Sequence, residues 1–272
     1  MIPAPFDYLR AESAEEAVAA LVEHGDDAKL IAGGMSLLPL MKLRLATPAV
    51  LVDVGRLREL SYVRDAGDHL AVGALTRHRD LETSELLAAQ CTPLQLVAAE
   101  VGDNQVRHRG TIGGSVAHGD PASDLPAVLL ALDAIAVARG PDGERTIPVA
   151  ELFQGFLETA LAPDELLVEL RVPKLPGARA SYQKFNRRAQ DWAIVGALAI
   201  RNGTDRVALV NMGTVPLRAR GVEDALAGGS SIPDAAERAA DETDAPTDLN
   251  ATPEFREHLA RVLVRRALEA AT

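Results

Sequence analysis

Leu30-Ile31-Ala32-Gly33-Gly34-Met35-Ser36-Leu37 carries an apolar, strand-like run into two glycines and then into a helical pattern reaching Leu45. In this order a strand delivers the chain to a turn where glycine adopts positive φ and lets the backbone approach a neighbour closely. The N–H groups that follow converge on one place, which suits an anion. A plain strand-to-helix connection has the same pattern, and one diglycine does not separate the two readings. Ser36 stands where an N-cap belongs, and Pro39 is tolerated in a first turn. Upstream, Ala17, Val18, Leu21 and Val22 recur at helical spacing over 14–24 and stop at Gly25. Downstream, Ala49-Val50-Leu51-Val52-Asp53 reads as a returning strand. Strand, helix and strand in this succession predict a βαβ-type module of about 1–55.

Thr111-Ile112-Gly113-Gly114-Ser115 repeats the diglycine with hydroxyl residues on both sides. Two cradles suit a diphosphate. Neither is GxGxxG or a Walker A sequence, so the pattern points to a dinucleotide held between two loops rather than to a Rossmann or P-loop fold. This loop lies in a second module of about 56–175, which opens with strands near Tyr62–Arg64 and Leu70–Ala74, continues through helical patterns over 81–101, and closes with a strand over Glu165–Val172. A helix is expected from Asp124-Leu125-Pro126 to Leu132. Pro173-Lys174-Leu175-Pro176-Gly177 then interrupts periodic structure and reads as a linker. A third module, 176–272, holds strands over 193–201 and 206–212 and helices over 222–226 and 255–270, with a polar loop over 241–253.

The chain of 272 residues has the apolar and charged content of an ordinary globular protein. Its net charge of −11 has the wrong sign for a general binder of nucleic acid or acidic membrane, so an anionic ligand must be held locally. The single cysteine, Cys91, excludes a disulfide framework, an internal iron-sulfur cluster and a cysteine-based zinc site. No signal-peptide pattern or membrane-length apolar run is legible, which gives a cytoplasmic expectation.

Asp120 and Asp124 follow the second diglycine, and either suits ribose hydroxyls or helix capping and turn formation. His118 has no metal-ligand partners at recognisable spacing. Arg107 and Arg109, and likewise Lys42 and Arg44, flank the two cradles as phosphate cations or as solvated surface. Trp192 is the only tryptophan, placed either to stack on a planar ring or to anchor a core. Lys184 reads as surface or as a cation near a ligand carbonyl. No Ser-His-Asp set and no metal-binding helix is present, so no catalytic and no metal residue is assigned.

Taken together, Ala32-Gly33-Gly34-Met35-Ser36-Leu37, Thr111-Ile112-Gly113-Gly114-Ser115 and Asp120-Pro121-Ala122-Ser123-Asp124-Leu125-Pro126 resemble the FAD-binding medium subunit of molybdenum hydroxylases, the xanthine dehydrogenase family. The likeness is nearest to the aerobic carbon monoxide dehydrogenase type and covers nearly the whole chain. It implies an α+β fold: a vanillyl-alcohol-oxidase (PCMH-type) FAD-binding domain of two subdomains, then a smaller C-terminal α+β domain with a three-stranded sheet. It implies non-covalent FAD here, with molybdenum cofactor and [2Fe-2S] clusters only in a large and a small partner subunit, assembled as a dimer of heterotrimers. Electrons would pass through this FAD to quinone, NAD or oxygen. By position, Ala32, Gly33, Gly34, Met35, Ser36 and Leu37 with Thr111, Gly113, Gly114 and Ser115 are expected at the diphosphate and Asp124 on the ribose side. Val101 and Gly102 fall near the adenine half, Leu167 and Lys184 near the flavin, and Trp192 where the family has a tyrosine. Met35 replaces a more usual polar residue. The alternatives are a stand-alone flavin oxidase of the same superfamily, or a medium subunit serving an N-heterocycle or aldehyde hydroxylase.

Overall fold

The computed structural model describes residues 2–188 and 191–271. The first module runs β1 (Asp7–Arg10), α1 (Ala14–His24), β2 (Ala28–Ile31), α2 (Leu37–Leu43) and β3 (Val50–Asp53). Its three strands form a parallel sheet in the order β1-β3-β2, as the βαβ pattern requires. Ser13 caps α1 by accepting the Glu16 N–H, and Gly25 at φ +54° ends it. The buried face Ala14, Ala17, Val18 and Leu21 packs with Val50 and Val52 of the sheet and also with Val137, Leu166 and Val168 of the next module. The expected strand over 30–32 begins earlier, at Ala28, and ends at Ile31, which leaves Ala32 to open the turn.

The second module comprises β4 (Val63–Asp65), β5 (His69–Gly73), α3 (His78–Glu82), α4 (Glu85–Gln90), α5 (Thr92–Ala99), α6 (Asn104–Arg109), α7 (Ile112–His118), α8 (Asp124–Ala131), β6 (Ile135–Gly140), β7 (Gly143–Pro148), α9 (Val149–Leu152), β8 (Phe153–Gly155), β9 (Glu158–Thr159) and β10 (Leu166–Pro173). Its main sheet is antiparallel in the order β4-β5-β10-β6-β7, with a bulge between Leu167 and Glu169 where β10 faces β6.

The third module contains β11 (Arg179–Phe185), β12 (Val195–Arg201), β13 (Asp205–Val210), β14 (Leu217–Arg218), α10 (Arg220–Ala227), α11 (Ile232–Ala236) and α12 (Pro253–Ala270). Three long antiparallel strands carry the expected sheet, with two-residue β14 added at its edge. Strand alternation explains its position. Val195, Ala197 and Ala199 face a core with Leu259, Leu263 and Val264 of α12, while Leu198 and Ile200 join Leu94, Leu125 and Leu129 of the second module. Both faces of the sheet are therefore buried, and the second and third modules share one continuous core. Among the described residues, no helix is long and apolar enough to cross a membrane.

Gly113 sits where α7 crosses the end of β5. A Cβ added to it would lie 2.5 Å from the Ala74 Cβ and 2.6 Å from the Ala74 carbonyl oxygen, so only glycine fits. Gly113→Ala is expected to destabilise the chain by about 1–3 kcal/mol through overpacking. Chemical denaturation measures this, and an unchanged midpoint would refute the packing role.

Candidate cofactor site

The first glycine turn is built by close approach. A Cβ on Gly33 would fall 2.2 Å from the Arg109 carbonyl oxygen and 2.9 Å from the Gly110 Cα, so the turn docks directly on the backbone leading into Thr111. Gly34 then takes φ +73°, a left-handed conformation that favours glycine. Among the described residues, the N–H groups of Gly33, Gly34, Met35, Ser36 and Leu37 find no acceptor in the chain; pairing resumes with Leu38 N–H to the Gly34 carbonyl. Five consecutive unpaired donors at a left-handed turn suit an anion. Ser36 has helical backbone angles and its side chain caps nothing, contrary to the N-cap expectation, which leaves its hydroxyl available.

The second diglycine differs from the open cradle expected of it. Gly113 and Gly114 lie inside α7, and the first N–H groups of that helix are already bonded. Ile112 donates to Thr76 O, Gly113 to Ala74 O, Gly114 to the Thr111 hydroxyl at 3.1 Å, and Ser115 to Thr111 O. Thr111 is the N-cap and is buried, so its side chain serves the helix. The physical reason is tight packing of α7 on β5, which consumes the amides that sequence alone leaves open. This segment presents the exposed Gly114 backbone and the half-buried Ser115 hydroxyl, which has no partner among the described residues. Donors for a diphosphate therefore come chiefly from the first turn, and the residues present fit FAD on that side.

Asp124, expected to face ribose, is the first residue of α8 and is buried. Its Oδ1 accepts from the Tyr182 hydroxyl at 2.5 Å and its Oδ2 from Lys184 Nζ at 2.8 Å. Lys184 is neither solvated surface nor a free cation: only 6% of its side chain is exposed, and Nζ also donates to the Glu100 carbonyl at 2.9 Å. Burial pushes the Asp124 carboxyl up, opposed by the Lys184 charge and by the two hydrogen bonds. Burial and the Asp124 charge together hold the Tyr182 hydroxyl well above the usual tyrosine range. The trio bridges α8 to β11 beside Val101 and Gly102. That turn is shaped by Arg107, whose Nη1 donates to the Val101 and Gly102 carbonyls at 3.2 Å each while Nε bonds Glu82 at 2.9 Å. Gly102 takes φ +47°. Arg107 is thus committed to the protein and is not a free phosphate cation.

Trp192, half exposed, lies on the rim of a cleft of about 950 Å³ between Asp120-Pro121-Ala122 and the third-module segments around 192–194, 211–214 and 244–250. Residues 189 and 190 next to it lie outside the described residues. Leu167 is 4% exposed and its side chain packs in the main core. Sequence reasoning missed Arg256. It is fully buried in α12, donates through Nη1 to the Ile194 carbonyl, and holds Nη2 2.7 Å from Asp248 Oδ2 in an ion pair without hydrogen-bond alignment, while Nε has no acceptor among the described residues. With Asn211, whose amide donates to Ala193 O at 2.8 Å, it fixes the chain just after Trp192. An arginine among the apolar positions of an amphipathic helix was the available signal.

His78, another residue that sequence reasoning passed over, is buried against Gly110, and its Nδ1 has no hydrogen-bond partner among the described residues. Burial lowers its pKa from 6.5 to about 4. Between these values the folded chain binds fewer protons than the unfolded chain, so stability falls as pH falls through that window, by about 3 kcal/mol in all. His78→Gln is expected to flatten that slope in pH-dependent urea denaturation; an unaltered slope would contradict it. Lys184→Met, which leaves Asp124 charged and unpaired, is expected to cost about 3–5 kcal/mol. Adding Asp124→Asn to it should recover part of that loss, and strict additivity would show that the pair is not coupled.

The family model described as FAD binding domain in molybdopterin dehydrogenase matches residues 4–175, and that of the CO dehydrogenase flavoprotein C-terminal domain matches residues 180–271. The carbon monoxide dehydrogenase medium chain of Hydrogenophaga pseudoflava is 40% identical over 282 residues, spanning 100% of this chain and 98% of its own length. The 6-hydroxypseudooxynicotine dehydrogenase complex subunit alpha of Paenarthrobacter nicotinovorans is 39% identical over 283 residues, with 100% and 96% covered. The solved carbon monoxide dehydrogenase from Hydrogenophaga pseudoflava that lacks the Mo-pyranopterin moiety superposes with a TM-score of 0.95 at 41% identity, covering 100% of this chain and 98% of that one. With its glycine turn, its module order and both domains matched, the chain belongs to the FAD-binding family of molybdopterin dehydrogenases and is an oxidoreductase component of the carbon monoxide dehydrogenase type.

Proposed function

We propose that this chain holds one non-covalent FAD and works as the electron-transfer flavin subunit of a three-component molybdenum hydroxylase. The observation that carries the reading is the run of five N–H donors from Gly33 to Leu37 without an acceptor among the described residues, set against the backbone at Arg109 and Gly110. In this reading Ala32–Leu37 grip the diphosphate, joined by the Ser36 and Ser115 hydroxyls, with the exposed Gly114 backbone alongside, while Thr111 and Gly113 hold α7 in place. Val101 and Gly102 border the adenine half. Asp124 retains lone pairs beyond those used by Tyr182 and Lys184, and offers them to a ribose hydroxyl. Trp192 presents its indole at the cleft rim, where its segment is held by Asn211 and Arg256.

Bound FAD would supply the redox chemistry, accepting electrons from the [2Fe-2S] clusters of a small subunit and releasing them to an external acceptor. The chain's own contribution is binding and orientation: 1–175 as the FAD domain and 176–272 as a lid sharing its core. Substrate choice falls to a large molybdenum subunit, with the three chains arranged as a dimer of heterotrimers in the cytoplasm. Carbon monoxide is the nearest substrate by the medium-chain relative. The 39% identity to a 6-hydroxypseudooxynicotine dehydrogenase subunit supports an N-heterocyclic substrate nearly as well.

The chain purified with FAD is expected to carry about one equivalent, released intact by acid, and to co-purify with iron-sulfur and molybdenum subunits when the three are expressed together. A chain that stays colourless in excess FAD would overturn the cofactor assignment. Substrate oxidation by the chain alone would favour a self-contained oxidase.

A further inference from the structure

Arg77, just before α3, is half-buried and has no carboxylate within ion-pair distance among the described residues. Its Nη1 donates to the Arg109 carbonyl, and its Nη2 lies 3.5 Å from the Gly55 carbonyl. These contacts place it at the base of the glycine turn. The Arg109 carbonyl is the atom against which Gly33 packs, and a Cβ on Gly55 would lie 2.9 Å from the Ala32 carbonyl oxygen. The guanidinium is thus wedged between the backbones that support Ala32 and Gly33, next to the five unpaired N–H groups. Asp53, an acid near the same turn, is otherwise engaged: its Oδ1 accepts the Gly55 N–H at 2.7 Å and its Oδ2 the Tyr8 hydroxyl at 2.5 Å. Arg109, whose side chain is exposed and without an acidic partner among the described residues, repels Arg77.

A half-buried guanidinium with no carboxylate in ion-pair distance is an unfavourable arrangement in an isolated chain. The cost is offset if an anion sits beside it. A chain of net charge −11 also needs local cations to concentrate a polyanion at one turn. We propose that Arg77, assisted by Arg109, supplies the positive charge that binds the diphosphate at the Gly33–Leu37 amides. This rests on the FAD reading above and adds an ionic component to what is otherwise a backbone receptor. An arginine suits this position because its planar fork satisfies two carbonyls and leaves further N–H donors for a phosphate oxygen.

The test uses the full-length chain stripped of flavin, with FAD binding followed by quenching of flavin fluorescence at low and high salt. Failure of the wild-type chain to bind FAD would sink the cofactor reading itself. Given wild-type binding, Arg77→Gln is expected to raise the FAD dissociation constant by about tenfold or more and to flatten its salt dependence, with Arg77→Lys intermediate. ADP should weaken in parallel with FAD. A dissociation constant within about twofold of wild type, or a weaker constant with an unchanged salt slope, would overturn the proposal, the latter marking Arg77 as a purely structural latch. Should Arg77→Gln not fold, Arg109→Gln at the exposed partner decides: a shallower salt slope supports the charged pair, and an unchanged one refutes it.

Discussion

Contact between the Gly33 backbone and the Arg109-Gly110 backbone, with no room for a single Cβ, is the constraint on which the site depends. Two chain segments about 75 residues apart meet there, one ending a parallel strand of the first module and the other entering a helix of the second. The turn is pressed against a neighbour, and its following N–H groups find no acceptor among the described residues. Gly33 and Gly34 are buried and Ser36 and Leu37 half-buried; backbone donors left unpaired in this state are costly, and such a run marks a place where a ligand completes the hydrogen bonding. The tight fit of Gly113 on Ala74 secures the far side of the same junction, since it sets where α7 begins and hence where residues 109–111 lie.

A second level of organisation holds the third module to this receptor. β12 is buried on both faces, one against α12 and one against the core of α5 and α8, so the third module cannot move away without exposing Leu198 and Ile200. Within that apolar interface Asp124, Tyr182 and Lys184 form a polar cluster. A buried ion pair is a weak source of stability but a strict one geometrically, because displacement of either partner leaves an uncompensated charge. It therefore fixes the register of β11 against the start of α8 and the Glu100 carbonyl, and with it the border of the cleft. Arg256 acts similarly at the other end, holding the Ile194 carbonyl next to Trp192 from inside α12.

Much of this is visible as residue type and spacing. Period-3.6 and period-2 patterns locate α1, α12, β3 and β12 to within a few residues, and Pro173 to Gly177 separates the last module. Both diglycines, Asp124 and Lys184 stand out as chemically expressive residues. Their roles are less legible. The Asp124–Lys184 pairing spans 60 positions, and neither residue carries a mark naming the other. The two diglycines look equivalent in sequence, yet in one the amides stay open and in the other they close a helix onto Thr76, Ala74 and Thr111.

Order along the chain, the βαβ opening, the glycine turns and the absence of a nucleophile or metal set are properties of local sequence, because propensity, periodicity and glycine's freedom at positive φ act over a few residues. Tertiary structure alone decided which amides remain open, which carboxylate is paired, and that Arg77 and Arg256 sit where they do. These outcomes depend on distance between segments remote in sequence, and on burial, which turns an ordinary arginine or aspartate into a group that must find a partner. The strand-to-glycine turn at Ile31 to Leu37 shows both halves: its shape is written locally, and its ability to bind comes from the backbone it is pressed against.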